Sequence, residues 1–300
     1  MDNDKYLRDV LDAQSLEDDS KELKELRKHR KDVETLLREK FSESSPTIRY
    51  GGSKAKGTLI REYYDLDLIC YFPHDDTSPG ETLKDIYNNV KNALAEKYEV
   101  VPKTSALRLR SKEEATRGQD FHIDVVPGRY TDESKTDCFL HQEGSEKSRL
   151  KTNPQVHIDD VKDSGVVDAL RLLKLWKARK TLRVKQFAFE LLSIKLLSTK
   201  KSTPLSTQVK HVWEEISAAE KAIAVEDPAN PEGNDLMPLL RSAWSELRSV
   251  AESTLKTLDD SGWEAIFGPV GETDSASRVS GLASVAAAVQ RPTKPWGFDE

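Results

Sequence analysis

The sequence has few cysteines, no long apolar run and no excess of positive charge, and each absence narrows the range of functions. Its 2 cysteines, Cys70 and Cys138, form no CxxC pair, which argues against a zinc site or a disulfide framework. No apolar run reaches the roughly 18 residues of a membrane span. The first residues, MDNDKYLRDV, lack the order of a signal peptide. We therefore expect a reduced, cytoplasmic protein with no membrane partner.

Basic charge does not dominate the chain either. The 300 residues include 46 Lys and Arg against 52 Asp and Glu, which gives a formal net charge of -6. A protein without an overall positive field does not hold a nucleic-acid duplex through its phosphates, so no stable duplex partner is expected. Apolar residues make up 37% of the chain, which is enough for a real core. Any nucleotide must therefore be bound locally by a globular protein.

Hydrophobic periodicity divides the chain into a mixed first part and a helical second part. Short segments with strand-like patterns are 47–50, 65–72, 106–110 and 121–126. Helical spacing is found over 16–41, 81–98, 165–180, 185–199, 206–224 and 236–258. Residues 131–162 are polar and rich in turn-forming residues. The pattern predicts an α/β lobe over 1–160, a helical lobe over 161–290 and a tail over 291–300.

Two aspartates flank one leucine inside an apolar strand, and this pairing needs a chemical explanation. In DLDLICYF, Asp65 and Asp67 leave one face of the strand while Leu66 and Leu68 leave the other. Like charges this close raise each other's pKa unless a cation intervenes, and Mg2+ prefers carboxylate oxygens. Asp124, in FHIDVV, offers a third carboxylate, and three carboxylates can hold two ions. The alternative is that these are strand-end residues that keep the sheet soluble.

A glycine turn upstream favours a phosphate site beside these carboxylates. Gly51 and Gly52 expose backbone N–H groups, and Ser53 adds a further donor. A P-loop is the rival interpretation, because Gly52 and Gly57 have GxxxxG spacing, but Thr58 occupies the position that requires lysine. We therefore reject the P-loop and predict a nucleotide-phosphate site that includes Gly52 and Ser53.

The order of these motifs resembles the DNA polymerase β-like nucleotidyltransferase superfamily. Within it, YGGSKAKGT, YDLDLICYF and FHIDVVPGR are similar to the CD-NTases, bacterial relatives of cyclic GMP-AMP synthase and oligoadenylate synthetase. The helical segments DALRLLKLWKAR and KQFAFELLSIKLL and the loop VEDPANPEGNDL resemble later parts of that group. The resemblance covers most of residues 20–240. It implies an α/β polymerase β-like lobe, with a small mixed or antiparallel sheet and flanking helices, followed by a helical lobe.

The resemblance also implies a metal-dependent, template-independent enzyme whose substrates are nucleoside triphosphates. Asp65 and Asp67 would bridge two Mg2+ (or Mn2+) ions, Asp124 would complete the ion near the acceptor hydroxyl, and Gly52 and Ser53 would bind the triphosphate. The product would be a short cyclic oligonucleotide that acts in antiviral defence. Alternatives are linear products, transfer to a tRNA or protein, and a catalytically inactive nucleotide-binding regulator.

Two residues of the helical lobe are predicted to bind nucleotide through the same resemblance. Lys174 matches the lysine that the family uses on phosphates, although Arg171, Lys174 and Lys177 recur every three residues and equally suit a solvated helix face. Gln186 stands before Phe187 where relatives commonly carry a serine. Its amide can donate a hydrogen bond, but the side chain is longer. Glu190 matches a recurrent acidic position and is predicted to be structural.

Further candidates flank the carboxylates or lie in the tail. His122 shares the face of Asp124 and is predicted to support the site rather than act as a base. Tyr63 precedes the DxD and could stack on a base. Trp296 and Phe298 lie in the predicted tail, which either docks an accessory or effector protein or packs on the chain itself. Four arginines either line a cleft or edge a strand: Arg108, Arg110, Arg117 and Arg129.

Overall fold

The structure is a computed structural model that describes residues 2–16, 20–144 and 148–270, so the predicted tail over 291–300, with its docking and packing alternatives, lies outside the described residues. The strands are β1 (Thr47–Tyr50), β2 (Leu66–Phe72), β3 (Tyr98–Pro102), β4 (Leu107–Ser111), β5 (Asp120–Tyr130), β6 (Cys138–His141) and β7 (Arg149–Thr152). The helices are α1 (Asn3–Ala13), α2 (Lys21–Lys40), α3 (Gly52–Lys56), α4 (Leu83–Ala95), α5 (Pro154–Lys162), α6 (Val167–Arg179), α7 (Gln186–Leu196), α8 (Leu205–Ala218), α9 (Met237–Arg241), α10 (Trp244–Ser261) and α11 (Glu264–Phe267). None of these described helices is both long and apolar enough to cross a membrane.

A single mixed sheet builds the first lobe. Its strand order is β1-β2-β5-β4-β3, and β6 and β7 extend it from β5. Strands β2 and β5 are parallel, whereas β5 pairs with β4 in the antiparallel sense. The parallel register places Asp67 opposite Asp124, and the antiparallel register places Arg108 opposite the same Asp124. Three charged side chains therefore lie side by side across three adjacent strands.

Side-chain alternation decides which face of this sheet carries the charges. Leu66, Leu68, Ile123 and Val125 are all buried in one apolar cluster with residues of α2 and α4. Because successive side chains of a strand point to opposite faces, the intervening aspartates leave the other face. The sequence predicted this alternation, and the structure confirms it.

The helical lobe forms a second core in which α1 takes part. Trp176 of α6 and Trp213 of α8 are fully buried in it, and their ring centroids lie 5.6 Å apart. Leu7 and Val10 of α1 are buried in the same cluster. The helical lobe thus includes residues from both ends of the described chain. The predicted boundary near residue 160 places α1 in the first lobe, whereas α1 packs in the helical lobe.

The segment 131–162, which reads as polar and turn-rich, contains the short strands β6 and β7 and the helix α5. Both strands are four residues long, and in β7 only Thr152 is buried, so neither strand has a strong periodic signal. The start of α5 does carry a local signal. The Asn153 side chain accepts hydrogen bonds from the N–H groups of Gln155 and Val156, and Pro154 occupies the first turn.

Candidate active site

A cleft between the free face of the sheet and helices α5 to α7 brings together every residue predicted for the site. Its volume is about 280 Å³. A separate groove lies beside α10, and its lining includes none of the predicted site residues. The cleft is lined by Gly52, Ser53, Asp65, Asp67, Asp124, Lys174 and Gln186, among others. Their roles in binding and catalysis remain predictions.

The glycine turn lies directly against the second aspartate of the DxD. Gly52 has a φ of +49°, and a Cβ at this position would lie 1.5 Å from Oδ2 of Asp67 and 2.5 Å from its Cγ. The N–H of Gly51 donates to the backbone carbonyl of Asp67 at 2.8 Å. Only glycine permits both the backbone conformation and this close approach. The short helix α3 begins here, and its N-cap, Gly51, has no side chain that could cap the first turn.

Asp67 is the carboxylate that lacks a compensating cation. Among the described residues, no lysine, arginine or histidine forms an ion pair or side-chain hydrogen bond with it. Burial, together with the nearby charges of Asp124 and Asp65, raises the pKa of Asp67 to about 7. A carboxylate in this situation gains most from a bound cation.

Asp65 and Asp124 are compensated by cationic side chains of the protein. Asp124 accepts hydrogen bonds from Nε and Nη2 of Arg108, at 2.7 and 2.8 Å, and from Nζ of Lys103 at 2.7 Å. Nη2 of Arg108 also lies 2.7 Å from Oδ2 of Asp65. Nδ1 of His122 lies 3.3 Å from Oδ1 of Asp65. Although burial opposes it, the contacts with His122 and Arg108 hold the pKa of Asp65 well below its usual range.

These contacts bear on the predicted pair of divalent ions. In the described part of the chain, no group of three His, Cys, Asp or Glu side chains is arranged to hold a metal ion. The donor chemistry fits Mg2+ or Mn2+, because three carboxylates line one cleft and one of them is uncompensated. In this structure the guanidinium of Arg108 engages Asp65 and both oxygens of Asp124, whereas Lys103 engages only Oδ2 of Asp124. An ion held by these carboxylates would therefore have to displace Arg108, while Lys103 leaves Oδ1 of Asp124 available to it.

Two buried lysines of α6 form the opposite wall. Lys174 is 3% exposed and Lys177 is 7% exposed, so the solvated-face alternative is wrong for both. Burial lowers the pKa of each ammonium group to about 8. Nζ of Lys174 donates to the carbonyl of Thr58 at 3.1 Å. The two ammonium groups lie 5.8 and 5.6 Å from the ring centroid of Tyr63, which lines the same cleft.

Glu190 connects the two lobes beneath this wall. Its carboxylate accepts from Nζ of Lys56 at 2.8 Å, from Oγ1 of Thr58 at 3.3 Å and from Nε2 of Gln186 at 3.4 Å. Although burial opposes it, Lys56 lowers the pKa of Glu190, which is therefore ionised. The amide of Gln186 donates to Glu190, and its Oε1 has no hydrogen-bond partner among the described residues. The donor that the sequence analysis assigned to the nucleotide is thus engaged by Glu190.

The four candidate arginines have different surroundings. Arg108 is 6% exposed and lies at the centre of the cleft. Arg110 is half-buried near the end of β4, and its Nη1 lies 4.0 Å from Glu99 on the neighbouring strand β3, whereas Arg117 is exposed in a loop. Arg129 donates to the backbone carbonyls of Asp76, Gly80 and Glu81. Of these four arginines, Arg108 alone lines the cleft, and Arg110 lies on a strand between two others rather than at the edge of the sheet.

Sequence reasoning missed several residues of this site. Lys56, Lys103 and His157 all line the cleft. Nε2 of His157 lies 2.7 Å from Oδ1 of Asp227 and thereby links α5 to the loop VEDPANPEGNDL. Lys56 had a signal, because it lies between the glycine turn and Thr58 in KAKGT. Lys103 follows β3 and reaches Asp124 only through strand pairing, so its part in the site has no local signal.

Comparisons with known proteins give matches in structure only. No protein-family model matches the chain, and no curated protein matches its sequence. CdnC of E. coli MS115-1, solved with ATP, is 19% identical, with a TM-score of 0.66 over 91% of this chain and 99% of that chain. The Vibrio cholerae cyclic AMP-GMP synthase DncV, a prokaryotic cGAS homologue, is 15% identical, with a TM-score of 0.58 over 91% and 87%. The Rhodothermus marinus CdnE c-UMP-AMP synthase is 16% identical, with a TM-score of 0.57 over 87% and 97%. At such identities the likeness establishes the fold, which confirms the predicted architecture.

Proposed function

We propose that this chain, which has the fold of the CD-NTases, is a nucleotidyltransferase that joins nucleoside triphosphates without a template. The product would be a short cyclic oligonucleotide, with release of pyrophosphate. One observation carries the proposal: a single cleft is lined by three carboxylates, from β2, the residue before it and β5, and by two buried lysines of α6. Acidic side chains on one wall suit divalent ions, and cationic side chains on the other suit the phosphates that those ions accompany.

The acidic wall would serve the acceptor hydroxyl. Asp65, Asp67 and Asp124 would hold Mg2+ or Mn2+, which when bound supplies Lewis-acid activation and neutralises negative charge. Burial and the nearby charges of Asp124 and Asp65 raise the pKa of Asp67 to about 7, so a bound cation would favour its ionised form. Gly52 lets the backbone lie against Asp67, so the start of α3 and the carboxylates share one small volume. The N–H of Gly51, which the sequence predicted to be exposed for phosphate, is donated to the carbonyl of Asp67 instead.

The lysine wall would bind the triphosphate. Lys174 and Lys177 are held in a poorly solvated position, where a charge interaction is stronger than in water. A bound triphosphate would favour their protonated forms and return their pKa values toward the ordinary range. Tyr63 lies beside both ammonium groups and could stack on a base.

The biological context is proposed from the resemblance. A cyclic product would act as a signal during antiviral defence. One of the similar structures is a complex of E. coli MS115-1 CdnC with a HORMA protein, and we propose that an accessory or effector protein likewise acts with this chain. The tail over 291–300 is the candidate docking segment, and packing of this tail on the chain itself is the alternative.

The test is to incubate the purified protein with Mg2+ or Mn2+ and all four ribonucleotides, and then with the four deoxyribonucleotides. Products are resolved by mass and by resistance to phosphatase. The expected result is a resistant species whose mass equals that of condensed nucleoside monophosphates. Phosphatase-sensitive ladders would indicate linear products instead. Absence of any nucleotide condensation would contradict the proposed reaction.

Two variants make the result specific to the cleft. The double variant Asp65→Ala, Asp67→Ala should lose the product. The matched control is Asp75→Ala, which removes an exposed aspartate from the loop that follows the same strand. Product formation by the control and not by the double variant assigns the reaction to these carboxylates.

A further inference from the structure

A buried arginine occupies the position between the carboxylates where a divalent ion would be expected. The guanidinium of Arg108 contacts three aspartates at once: Asp65 at 2.7 Å, Asp124 at 2.7 and 2.8 Å, and Asp120 at 3.2 Å. The side chain is 6% exposed, so solvent does little to weaken these contacts. Two of the three aspartates are the residues predicted to hold the ions. Arg108 therefore carries positive charge to the predicted ion site.

A guanidinium and a divalent ion cannot use the same carboxylate oxygens together. Arg108 directs Nε and Nη2 at both oxygens of Asp124, and Nη2 also contacts Oδ2 of Asp65. An ion that binds these oxygens must first displace Arg108, and the free energy of the lost arginine contacts weakens the apparent affinity for the ion. Moreover, two cations close together repel each other unless anions separate them.

Asp120 offers the guanidinium an alternative partner. Its Oδ2 already accepts from Nη1 of Arg108, and its Oδ1 accepts from the N–H of His122 at 2.7 Å, so the carboxylate is held in place by the backbone. Asp120 is not among the predicted ion ligands. Arg108 could give up Asp65 and Asp124 while it keeps a charge partner, which avoids leaving a buried cation uncompensated.

We propose that Arg108 is a positioning residue that holds Asp65 and Asp124 as an internal cation, and that a divalent ion binds when the guanidinium moves onto Asp120. The proposal rests on the use of a divalent ion under the proposed function. It explains why the cleft contains three carboxylates that suit a divalent ion, while a guanidinium engages two of them. It assigns Asp120 a role in releasing the carboxylates.

The test measures Mn2+ binding to the full chain without nucleotide, from the electron paramagnetic resonance signal of free Mn2+. Arg108→Gln removes the competing charge and should tighten Mn2+ binding by about tenfold or more, whereas Asp120→Asn should weaken it by about threefold or more. Arg108→Lys keeps the charge without the bidentate geometry and should bind with intermediate affinity. Arg110→Gln is the matched control on the same strand, outside the cleft, and should bind as the wild type does.

The variant Arg108→Gln should fold, because Lys103 remains within 2.7 Å of Asp124. If it does not fold, the wild type gives the same test through Mg2+ titration of protein labelled with 15N at arginine Nε. The Arg108 signal is assigned from its loss in Arg108→Lys. Loss of the hydrogen-bonded Arg108 signal as Mg2+ binds supports the exchange, and an unchanged signal at saturating Mg2+ overturns it.

The outcomes separate this inference from the proposed function. Equal or weaker Mn2+ binding by Arg108→Gln, in a protein whose wild type binds Mn2+ and forms product, overturns the inference alone. No Mn2+ binding by the wild type or by any folded variant overturns the inference together with the ion dependence of the proposed reaction.

Discussion

The two aspartates of the DxD should have opposite effects on stability, although they lie two residues apart. The folded-state pKa of Asp67, about 7, lies above its ordinary value of 3.8, so the folded protein binds a proton more tightly than the unfolded chain does. Wild-type stability should therefore fall as the pH rises from about 4 to about 7 and change no further through this group above that range. The variant Asp67→Asn removes the penalty and should be more stable than the wild type at about pH 8.

The size of the effect follows from the displacement of the pKa of Asp67. A rise from 3.8 to about 7, at about 1.4 kcal/mol for each pH unit, corresponds to at most about 4 kcal/mol. The Asp67 side chain is half-buried rather than fully enclosed, and local relaxation lowers the penalty, so we expect about 1–2 kcal/mol. For a chain of this size that amounts to a rise in Tm of about 2–3 °C at about pH 8, and a smaller one at about pH 5.

Asp65→Asn is the matched comparison, and it should lower the stability of the fold where Asp67→Asn raises it. Arg108 and His122 hold the pKa of Asp65 below its ordinary value, so its charge stabilises the fold above that value, and the contribution is lost only as the pH falls through the depressed folded-state pKa. This variant should lower Tm throughout the range from about pH 5 to about pH 8.

The assay is thermal unfolding of the three proteins in buffer with a metal chelator, repeated with Mg2+. Mg2+ should raise the Tm of the wild type, since it neutralises Asp67, and should raise that of Asp67→Asn less. The reasoning would be refuted if Asp67→Asn were no more stable than the wild type at about pH 8, or if its advantage were the same at about pH 5.

Three further predictions concern the rest of the cleft. Gly52→Ala should reduce product formation by about a hundredfold or more, since its Cβ displaces Asp67. A Cβ at Gly57 meets no atom within 4 Å, so Gly57→Ala should keep activity and cost only about 1 kcal/mol of stability for its left-handed φ. Reaction rates and unfolding curves of both variants check this. Affinity for nucleoside triphosphate should fall as the pH rises above about 8, because Lys174 and Lys177 lose their protons there. Lys174→Met should remove part of that pH dependence. A KM that does not change with pH would contradict this. Glu190→Gln should destabilise the protein by about 3 kcal/mol, since Lys56 would remain buried without its partner; an unchanged unfolding midpoint would show that the pair is dispensable.

Local patterns in the sequence were sufficient for the elements that carry the carboxylates. The alternation of Leu66 and Leu68 with Asp65 and Asp67 reports which face of a strand is buried, because the side-chain period of a strand is two. The pairing of Asp67 with Asp124 depends on a parallel register between β2 and β5, which no local pattern encodes. The sequence therefore predicted that the three aspartates lie together, but not the register that brings them together or the cations that contact them.

Long-range charge pairing explains most of what the sequence could not predict. Lys56 and Glu190 lie 134 positions apart, and their ion pair forms only when the lobes meet. Periodicity on α6 suited a solvated face for Lys174 because a helix pattern shows spacing, not what covers the face. Arg108 was recognised as a candidate, but its contact with three aspartates requires both neighbours of β5 to be in register.

The central claim is that the acidic and cationic walls of one cleft act together on a nucleoside triphosphate. The most direct test is release of pyrophosphate from nucleoside triphosphates and Mg2+ by the wild type, Asp124→Asn and Lys174→Met. We predict release by the wild type, loss of about a hundredfold or more in Asp124→Asn, and a raised KM in Lys174→Met. Pyrophosphate release that is unchanged in Asp124→Asn would contradict the account.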